Sequence, residues 1–585
     1  MSYDFKNKVI YQIWPRSFKD SNGDGIGDLG GVIGKLPYIK SLGVDAIWLS
    51  PVYPSHNHDY GYDIDDYCAI NPEFGTMEDF DRLVSEAKKL DIGIVMDLVV
   101  NHTSSHHKWF REAVDDPGSK YRDYYIFRKG RDAGVHKGYK LPVTSGTIPP
   151  NNWMSAFGGS AWQKDAKSGE YYLTLFTPDQ CDLNWANPEV REEVWNIMRF
   201  WLDRGIAGFR LDVINAIAKR EGLPDSGNPK KLDFPFEHIV SLPKTHEYLK
   251  EMHEKVLSHY DCFTVGEGMV TPLDAVLGYT GPGTDELDMM FQFDLALIGC
   301  GPLGKFDFRK LYHWTVREYK DIFDRWESGV QSGGGWLGNY ISNHDQPRPV
   351  SRFGDDRHYR RESAKAFAMI NITMLGTPFI YQGEEIGMTN CPLEPAEWKD
   401  FEAINDYKML QSMMHLPAPV AKKVIQKMTR DHARTPMQWS GQENAGFTDG
   451  NTTWMKVNPN YTGINVENDL KSSNSVIVFY KELIRLRHLN DELNYGSYRM
   501  IAKNDPHVIA YIREYNGRRL LIAVNMTGKP AQVNIGEVEY KKGHMILGTH
   551  GTEKYSRFLQ LKPYEGRIYR IAAGGDVKTT EIRKR

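Results

Sequence analysis

The sequence predicts an α/β protein whose main body is a (β/α)8 TIM barrel, with a small domain inserted after the third strand and an antiparallel β domain near the C-terminal end. Three observations predict it: eight short apolar runs spaced by amphipathic stretches, one abnormally long gap between the third and fourth runs, and a late switch to alternating segments. A chain of 585 residues with 41% apolar and 12% aromatic content is long enough for more than one domain and a sizeable core.

The runs are VIYQIW (9–14), AIWLSP (46–51), GIVMDLVV (93–100), GIAGFRLDV (205–213), CFTVGE (262–267), LDMMFQF (287–293), LGNYISN (337–343) and PFIYQGE (378–384). Each is apolar without alternation, as expected of a parallel strand covered on both faces. After DLVVNH the next helical pattern is PEVREEVWNIMRFWL, from Pro188 to Leu202, about 85 residues on. A gap that long, rich in Gly, Trp, Tyr and Asn, predicts an inserted domain rather than a loop. Beyond FYKELIRLRH the segments VIAYIREY, RRLLIAVNM, AQVNI and RIYRIA predict short antiparallel strands. The expected boundaries are 1–102 and 173–500 for the barrel, 103–172 for the insertion, 501–573 for the β domain and 574–585 for a polar tail.

Composition narrows the function. With 72 basic against 76 acidic residues and no long block of like charge, nothing favours nucleic acid or an anionic membrane, and a neutral small molecule is the expected partner. Five scattered cysteines without a CxxC pair argue against a disulfide framework or a zinc site. No apolar run approaches a membrane span and the amino terminus lacks a signal core, so the expected location is the cytoplasm, as a monomer or weak homo-oligomer.

In such a barrel all strand C-termini face one way, so Asp97, Asp212, Glu267 and Asp345 can converge although far apart in sequence. An isolated Asp after a strand is ordinarily a helix cap or loop acceptor. The neighbours argue otherwise: Arg210 projects to the same face as Asp212, and His102 and His344 follow Asn in matching positions. Carboxylates gathered from separate strand ends are what glycoside hydrolysis requires.

DLVVNH, GFRLDV, TVGE and YISNHD, in this order, resemble the four signature segments of the α-amylase superfamily of glycoside hydrolases, nearest its oligo-1,6-glucosidase and α-glucosidase branch. The likeness extends from VIYQIWPRSF through FGGSAWQ to ARTPMQW. It implies Asp212 as nucleophile, Glu267 as general acid and base, and Asp345 as stabiliser of the transition state. It also implies a glucose clamp of Asp59, Tyr62, His102, Gln180, His344 and Arg430, with Cys181 standing where relatives usually have Pro. Arg210 should hold the nucleophile ionised. Within the family, Val at the position of Val213 goes with α-1,6 linkages, and Ala or Thr with α-1,4. The loop DSNGDGIGD resembles the first two-thirds of an EF-hand, and relatives use it for structural Ca²⁺; Asp20, Asn22, Asp24, the Ile26 carbonyl and Asp28 would be the ligands, although Gly31 stands where a closing Glu would be. No organic cofactor is implied.

The resemblance therefore implies an exo-acting, retaining enzyme that removes non-reducing glucose from short α-1,6-linked oligosaccharides. Departures fall on the leaving-group side: Asp294 in FQFDLALIG, Gly268 after the acid, where the expectation is a widened wall, and DFPFEHIVSLPKTHEYL. The rival activities are an α-1,4-glucosidase, a sucrose isomerase, whose Arg-rich loop is not matched by KDIFDRWESG, and a trehalose-6-phosphate hydrolase, for which Lys230 and Lys244 could supply positive charge. The non-enzyme rival is a transporter ancillary subunit, which needs a membrane anchor and tolerates loss of the acids.

Overall fold

The structure is a computed structural model describing residues 4–136, 138–301, 304–309, 314–536 and 543–571. The expected tail and the last residues of the expected β domain lie outside them. Eight parallel strands close into a barrel: β1 (Ile10–Ile13), β2 (Ala46–Leu49), β3 (Gly93–Leu98), β4 (Gly208–Leu211), β5 (Phe263–Glu267), β6 (Met289–Phe291), β7 (Leu337–Asn339) and β8 (Thr377–Tyr381), with β8 pairing back onto β1. Every run predicted from the sequence contributes one of these strands. They are mostly apolar because both faces are covered, by side chains filling the barrel and by helices outside, with Gln12, Asp97, Arg210 and Glu267 the polar exceptions nearest the site.

The helices start where the sequence supplies caps. Asp28 accepts from the Gly31 amide to open Leu29–Leu42, Thr76 and Asp79 form a reciprocal capping box before Met77–Lys89, and Asn187 with Pro188 opens Pro188–Leu202. These fixed starts set the direction in which each strand's outgoing loop leaves the barrel rim.

The long excursion after β3 begins with His102–Ser104 and returns through Gln180–Asp182, which pairs with it antiparallel, Cys181 opposite Thr103 and Asp182 opposite His102. Its own sheet joins Phe127–Arg128, Tyr171–Leu173 and Trp162–Lys164. Residues beyond 172 thus still belong to the excursion, further along than the expected return to the barrel. The neck pairing places Gln180 beside the end of β3. Cys181 is fully buried there, and burial pushes its thiol well above the ordinary range. All five cysteines are free.

A five-stranded antiparallel sheet runs in the order Ser497–Ile501, Val508–Tyr515, Arg518–Asn525, Gly566–Ile571, Gly543–Gly548, and faces a pair formed by Ala531–Asn534 and Phe558–Leu561 across a shared apolar core. Its first strand begins at Ser497, four residues before the expected start. Among the described residues, no helix is long and apolar enough to cross a membrane.

Candidate active site

Four strand ends and the loops behind them converge at the C-terminal rim of the barrel. Arg210, on β4 and opposite Asp97 of β3 in register, lies at the centre. Its Nη1 donates to Asp97 Oδ1 at 2.6 Å and to Asp212 Oδ1 at 2.7 Å, and its Nη2 donates to Glu267 Oε2. One buried guanidinium therefore gathers three carboxyls. Asp97 is saturated, since its second oxygen accepts from Trp48 Nε1 at 3.1 Å and the Tyr62 hydroxyl at 3.0 Å. Its side chain is 0% exposed, against 10% for Asp212 and 12% for Glu267, so Asp97 positions Arg210 while the other two are reachable from the cleft.

Three carboxyls around one cation cannot all ionise cheaply in a site withdrawn from water. Burial pushes Asp212 up to about 6, with Arg210 opposing the rise. Burial pushes Glu267 further, to about 8, against Arg210 and with the help of the Asp212 charge, with which it shares a hydrogen bond. The site therefore separates two carboxyls into an ionised member, Asp212, and a protonated member, Glu267.

Asp345 takes the opposite course. It lies six positions beyond the last residue of β7, on the outgoing loop rather than at the strand end. Arg434 Nη2 donates to its Oδ1 at 2.7 Å, Arg430 Nη1 stands 3.4 Å from the same oxygen, and His344 Nε2 is 3.5 Å from Oδ2. Burial alone would raise its pKa, but His344, Arg430 and Arg434 hold it well below the usual carboxylate range. Because burial drives His344 itself down to about 3, leaving it neutral, the two guanidiniums supply the standing charge.

The clamp residues expected from the sequence are brought together. Gln12 Nε2 lies 2.8 Å from His344 Nδ1, and His344 Nε2 lies 2.8 Å from the Tyr62 hydroxyl, which in turn donates to Asp97. That chain places the His344 proton on Nε2. The His344 ring is stacked between Tyr62, at 5.3 Å, and Trp14, at 5.1 Å. Gln180 Nε2 is 3.1 Å from His102 Nε2 and 3.5 Å from Asp59 Oδ2, and Arg430 Nη2 reaches Asp59 Oδ1 at 3.5 Å. Burial pushes Asp59 up to about 6 and His102 down to about 4. Asp400 accepts from Arg430 Nε at 2.9 Å and fixes it in place. Arg430 thus bridges Asp59 and Asp345.

Arg434, Asp400, Trp48 and Trp14 belong to this site and were not among the candidates. Arg434 lies within ARTPMQW, and that motif was its available signal. The departures on the leaving-group side turn out to be occupied by packing. A Cβ on Gly268 would meet Thr271 Oγ1 at 2.2 Å and Met290 Cε at 2.5 Å, so the missing side chain opens no space, contrary to the widened wall expected there. Asp294 accepts from Trp326 Nε1 at 2.7 Å and pairs with Arg325, tied to the helix Val316–Gly333. Lys244 pairs with Glu247 at 2.5 Å on the exposed face of its helix, and Lys230 is exposed.

The loop expected to hold calcium is folded by its own carboxylates. Asp20 accepts from the amides of Asn22, Gly23 and Gly25 and from the Thr448 hydroxyl, and Asp28 accepts from Ser21 and from Gly31. The closing Glu is absent for a steric reason, because a Cβ at Gly31 would fall 1.9 Å from the Lys19 carbonyl oxygen. Oxygen donors alternating around glycines are of the type a hard cation selects, and Asp20, Asn22, Asp24, the Ile26 carbonyl and Asp28 would hold it. Among the described residues, the group of three His, Cys, Asp or Glu side chains with ligand atoms all within 4.8 Å of one another is His58, His106 and Asp179, away from this loop.

Comparison with known proteins covers nearly the whole chain. Residues 12–496 match the α-amylase catalytic domain and residues 498–568 the maltogenic amylase C-terminal domain. The chain is 46% identical to an oligo-1,6-glucosidase of Parageobacillus thermoglucosidasius, covering 97% of this chain and 99% of the relative, and 44% identical to a trehalose-6-phosphate hydrolase of Bacillus subtilis, covering 97% and 98%. Among solved structures, a trehalose-6-phosphate hydrolase of Bacillus licheniformis superposes with a TM-score of 0.91 at 40% identity over 98% of this chain and 100% of that one. An isomaltulose synthase of Klebsiella gives 0.89 at 40% identity over 97% and 99%.

Proposed function

The chain belongs to the α-amylase family of glycoside hydrolases, and from that premise we propose that it is an exo-acting, retaining α-glucosidase that removes the non-reducing glucose of short α-1,6-linked oligosaccharides. The observation that carries the reading is the single guanidinium of Arg210 holding Asp212 and Glu267 together at unequal pKa, about 6 and about 8. In the proposed reaction Glu267 protonates the glycosidic oxygen as Asp212 attacks the anomeric carbon, breaking the bond to the leaving sugar and forming a glucosyl ester. The deprotonated Glu267 then takes a proton from water, whose oxygen displaces Asp212 and releases glucose. Asp345, held anionic by Arg430 and Arg434, faces the developing positive charge of the sugar ring.

Exo action is supported by the Asp59–Arg430–Asp345 bridge, whose ion pairs at 3.5 and 3.4 Å would stand behind the terminal glucose in the proposed clamp. Neutral His102 and His344, with Gln180 and Asp59, offer both donors and acceptors to ring hydroxyls. The linkage preference rests on Val213. This β-branched residue sits in the left-handed region at φ 35°, ψ 38°, with its amide 3.4 Å from Glu267 Oε2, so its backbone is set by the site it adjoins. Val213→Thr is expected to raise turnover of maltose relative to isomaltose by roughly tenfold; an unchanged ratio would remove Val213 as the selector.

Product analysis on isomaltose, panose, maltose, sucrose and trehalose-6-phosphate side by side tests the whole reading. Isomaltose should be cleaved fastest, to glucose that initially carries the α configuration. Preferential cleavage of trehalose-6-phosphate would instead favour the activity named for the two trehalose-6-phosphate hydrolases of Bacillus.

Calcium, if held by the Asp20–Asp28 loop, would be structural, since none of that loop's donors contacts Asp212, Glu267 or Asp345. Added Ca²⁺ should then raise Tm and a chelator lower it, with kcat unchanged at a temperature where both forms are folded. A Tm indifferent to both would mean that the hydrogen bonds of Asp20 and Asp28 close the loop unaided.

A further inference from the structure

Beside the clamp residues Asp59 and Gln180, His58, His106 and Asp179 bring two imidazoles and a carboxylate within 4.8 Å of one another, outside every role assigned above. We propose that they form a binding site for a borderline divalent cation of the Zn²⁺ type, an ion that pins together three loops at the rim of the pocket. Two nitrogens and one oxygen are a donor set that Zn²⁺ accepts and that Ca²⁺ and Mg²⁺, which prefer oxygen alone, do not. The fourth position of a tetrahedral ion would go to water, because His58 and His106 are exposed.

The side chains around the cluster orient the ligands, as the surroundings of a metal site do. Ser105 Oγ donates to Asp179 Oδ1 at 3.0 Å, leaving Oδ2, 3.3 Å from His58 Nδ1, turned toward the imidazoles. The ring of His106 is covered by His56, stacked at 3.6 Å and 16°, and His56 is held in turn by Asp65 at 2.7 Å. The rings of His58 and His106 are parallel to within 6°. Among the described residues, the His58–Asp179 contact is the one ion pair that links two of its ligands.

Position gives the site its consequence. His58 precedes the clamp residue Asp59, and Asp179 precedes the clamp residue Gln180. His106 lies two residues beyond the short strand His102–Ser104, which carries the clamp residue His102. The turn bearing His58 has left-handed backbone at Asn57 and Tyr60, φ 61° and 47°, and an ion would hold that strained turn against the neck of the excursion. Ligation in the folded chain alone stabilises it by mass action.

The test is Zn²⁺ binding to the full-length protein by calorimetry, with Ca²⁺ and Mg²⁺ as controls, combined with Tm and the visible spectrum of a Co²⁺-loaded sample. One Zn²⁺ per chain is expected, with a raised Tm and the intense visible bands of tetrahedral Co²⁺. His106→Ala and His58→Ala should each lose the binding, the Tm gain and the bands while keeping the metal-free Tm and activity on isomaltose. Equal Zn²⁺ binding by the wild type and a His58→Ala/His106→Ala double variant, or no binding by the wild type, would overturn the proposal. Because the readouts are binding and stability, they stand apart from the choice of sugar substrate.

Discussion

Asp212→Asn is expected to lower kcat at least about 10⁴-fold, more than about 5 kcal/mol of transition-state stabilisation, while leaving the protein at least as stable as before. Loss of turnover follows because an amide cannot form the glucosyl ester. Stability follows from linkage. The folded-state pKa of Asp212 is raised to about 6 by burial, so its contribution to stability is complete below the unfolded-state pKa and is lost as pH rises through about 6. At pH 7 to 8 the ionised side chain is thus a net cost, on the order of 1–3 kcal/mol from the shift alone. An isosteric neutral residue removes that cost, while Arg210 keeps Asp97 and Glu267 as partners. Thermal unfolding at pH 7.5 should show a Tm equal to or above wild type, and at pH 4 the difference should shrink. Near-normal activity, or a Tm gain that grows toward acid, would contradict the assignment.

Why some of this was legible in sequence and some was not has a physical explanation. Barrel strands covered on both faces print continuous apolar runs, so all eight could be located, and a barrel sends their C-termini to one rim, so Asp97, Asp212 and Glu267 could be grouped. The helix Pro188–Leu202 was legible because Asn187 and Pro188 announce its start. Arg430 meets Asp59 across 371 residues, a pair that the family resemblance brought into one clamp, whereas Arg434 meets Asp345 across 89, a contact that no local pattern encodes. Arg434, Asp400 and the two tryptophans look like ordinary cap or core residues until the loops are placed. Gly268 was misread because the sequence shows a missing side chain but not what fills its place, here Thr271 and Met290. The cluster at His58, His106 and Asp179 escaped for the same reason as the Arg434–Asp345 contact: its members come from separate stretches of the chain.

Glu267→Gln should reduce kcat/KM on isomaltose by about 10²- to 10⁴-fold, the range general acid–base catalysis supplies, and should change the shape of the pH profile. In the wild type the productive form has Asp212 ionised and Glu267 protonated. Activity is then lost as pH falls through about 6, where Asp212 takes up a proton, and as pH rises through about 8, where Glu267 gives one up. Gln cannot ionise, so the variant should keep the acid limb and lose the alkaline one. The remaining activity should also depend on the leaving group. An aryl glucoside whose phenolate departs without a proton should lose far less in bond cleavage than isomaltose, whose sugar alkoxide needs one. Water attack on the glucosyl ester would still lack its base, so a burst of phenolate followed by slow turnover is expected. The burial that raises Glu267 and the guanidinium that restrains it act on the same carboxyl, and the alkaline limb reports their balance directly. If that limb persists unchanged in the Gln variant, another group titrates near pH 8 and Glu267 is not the proton donor.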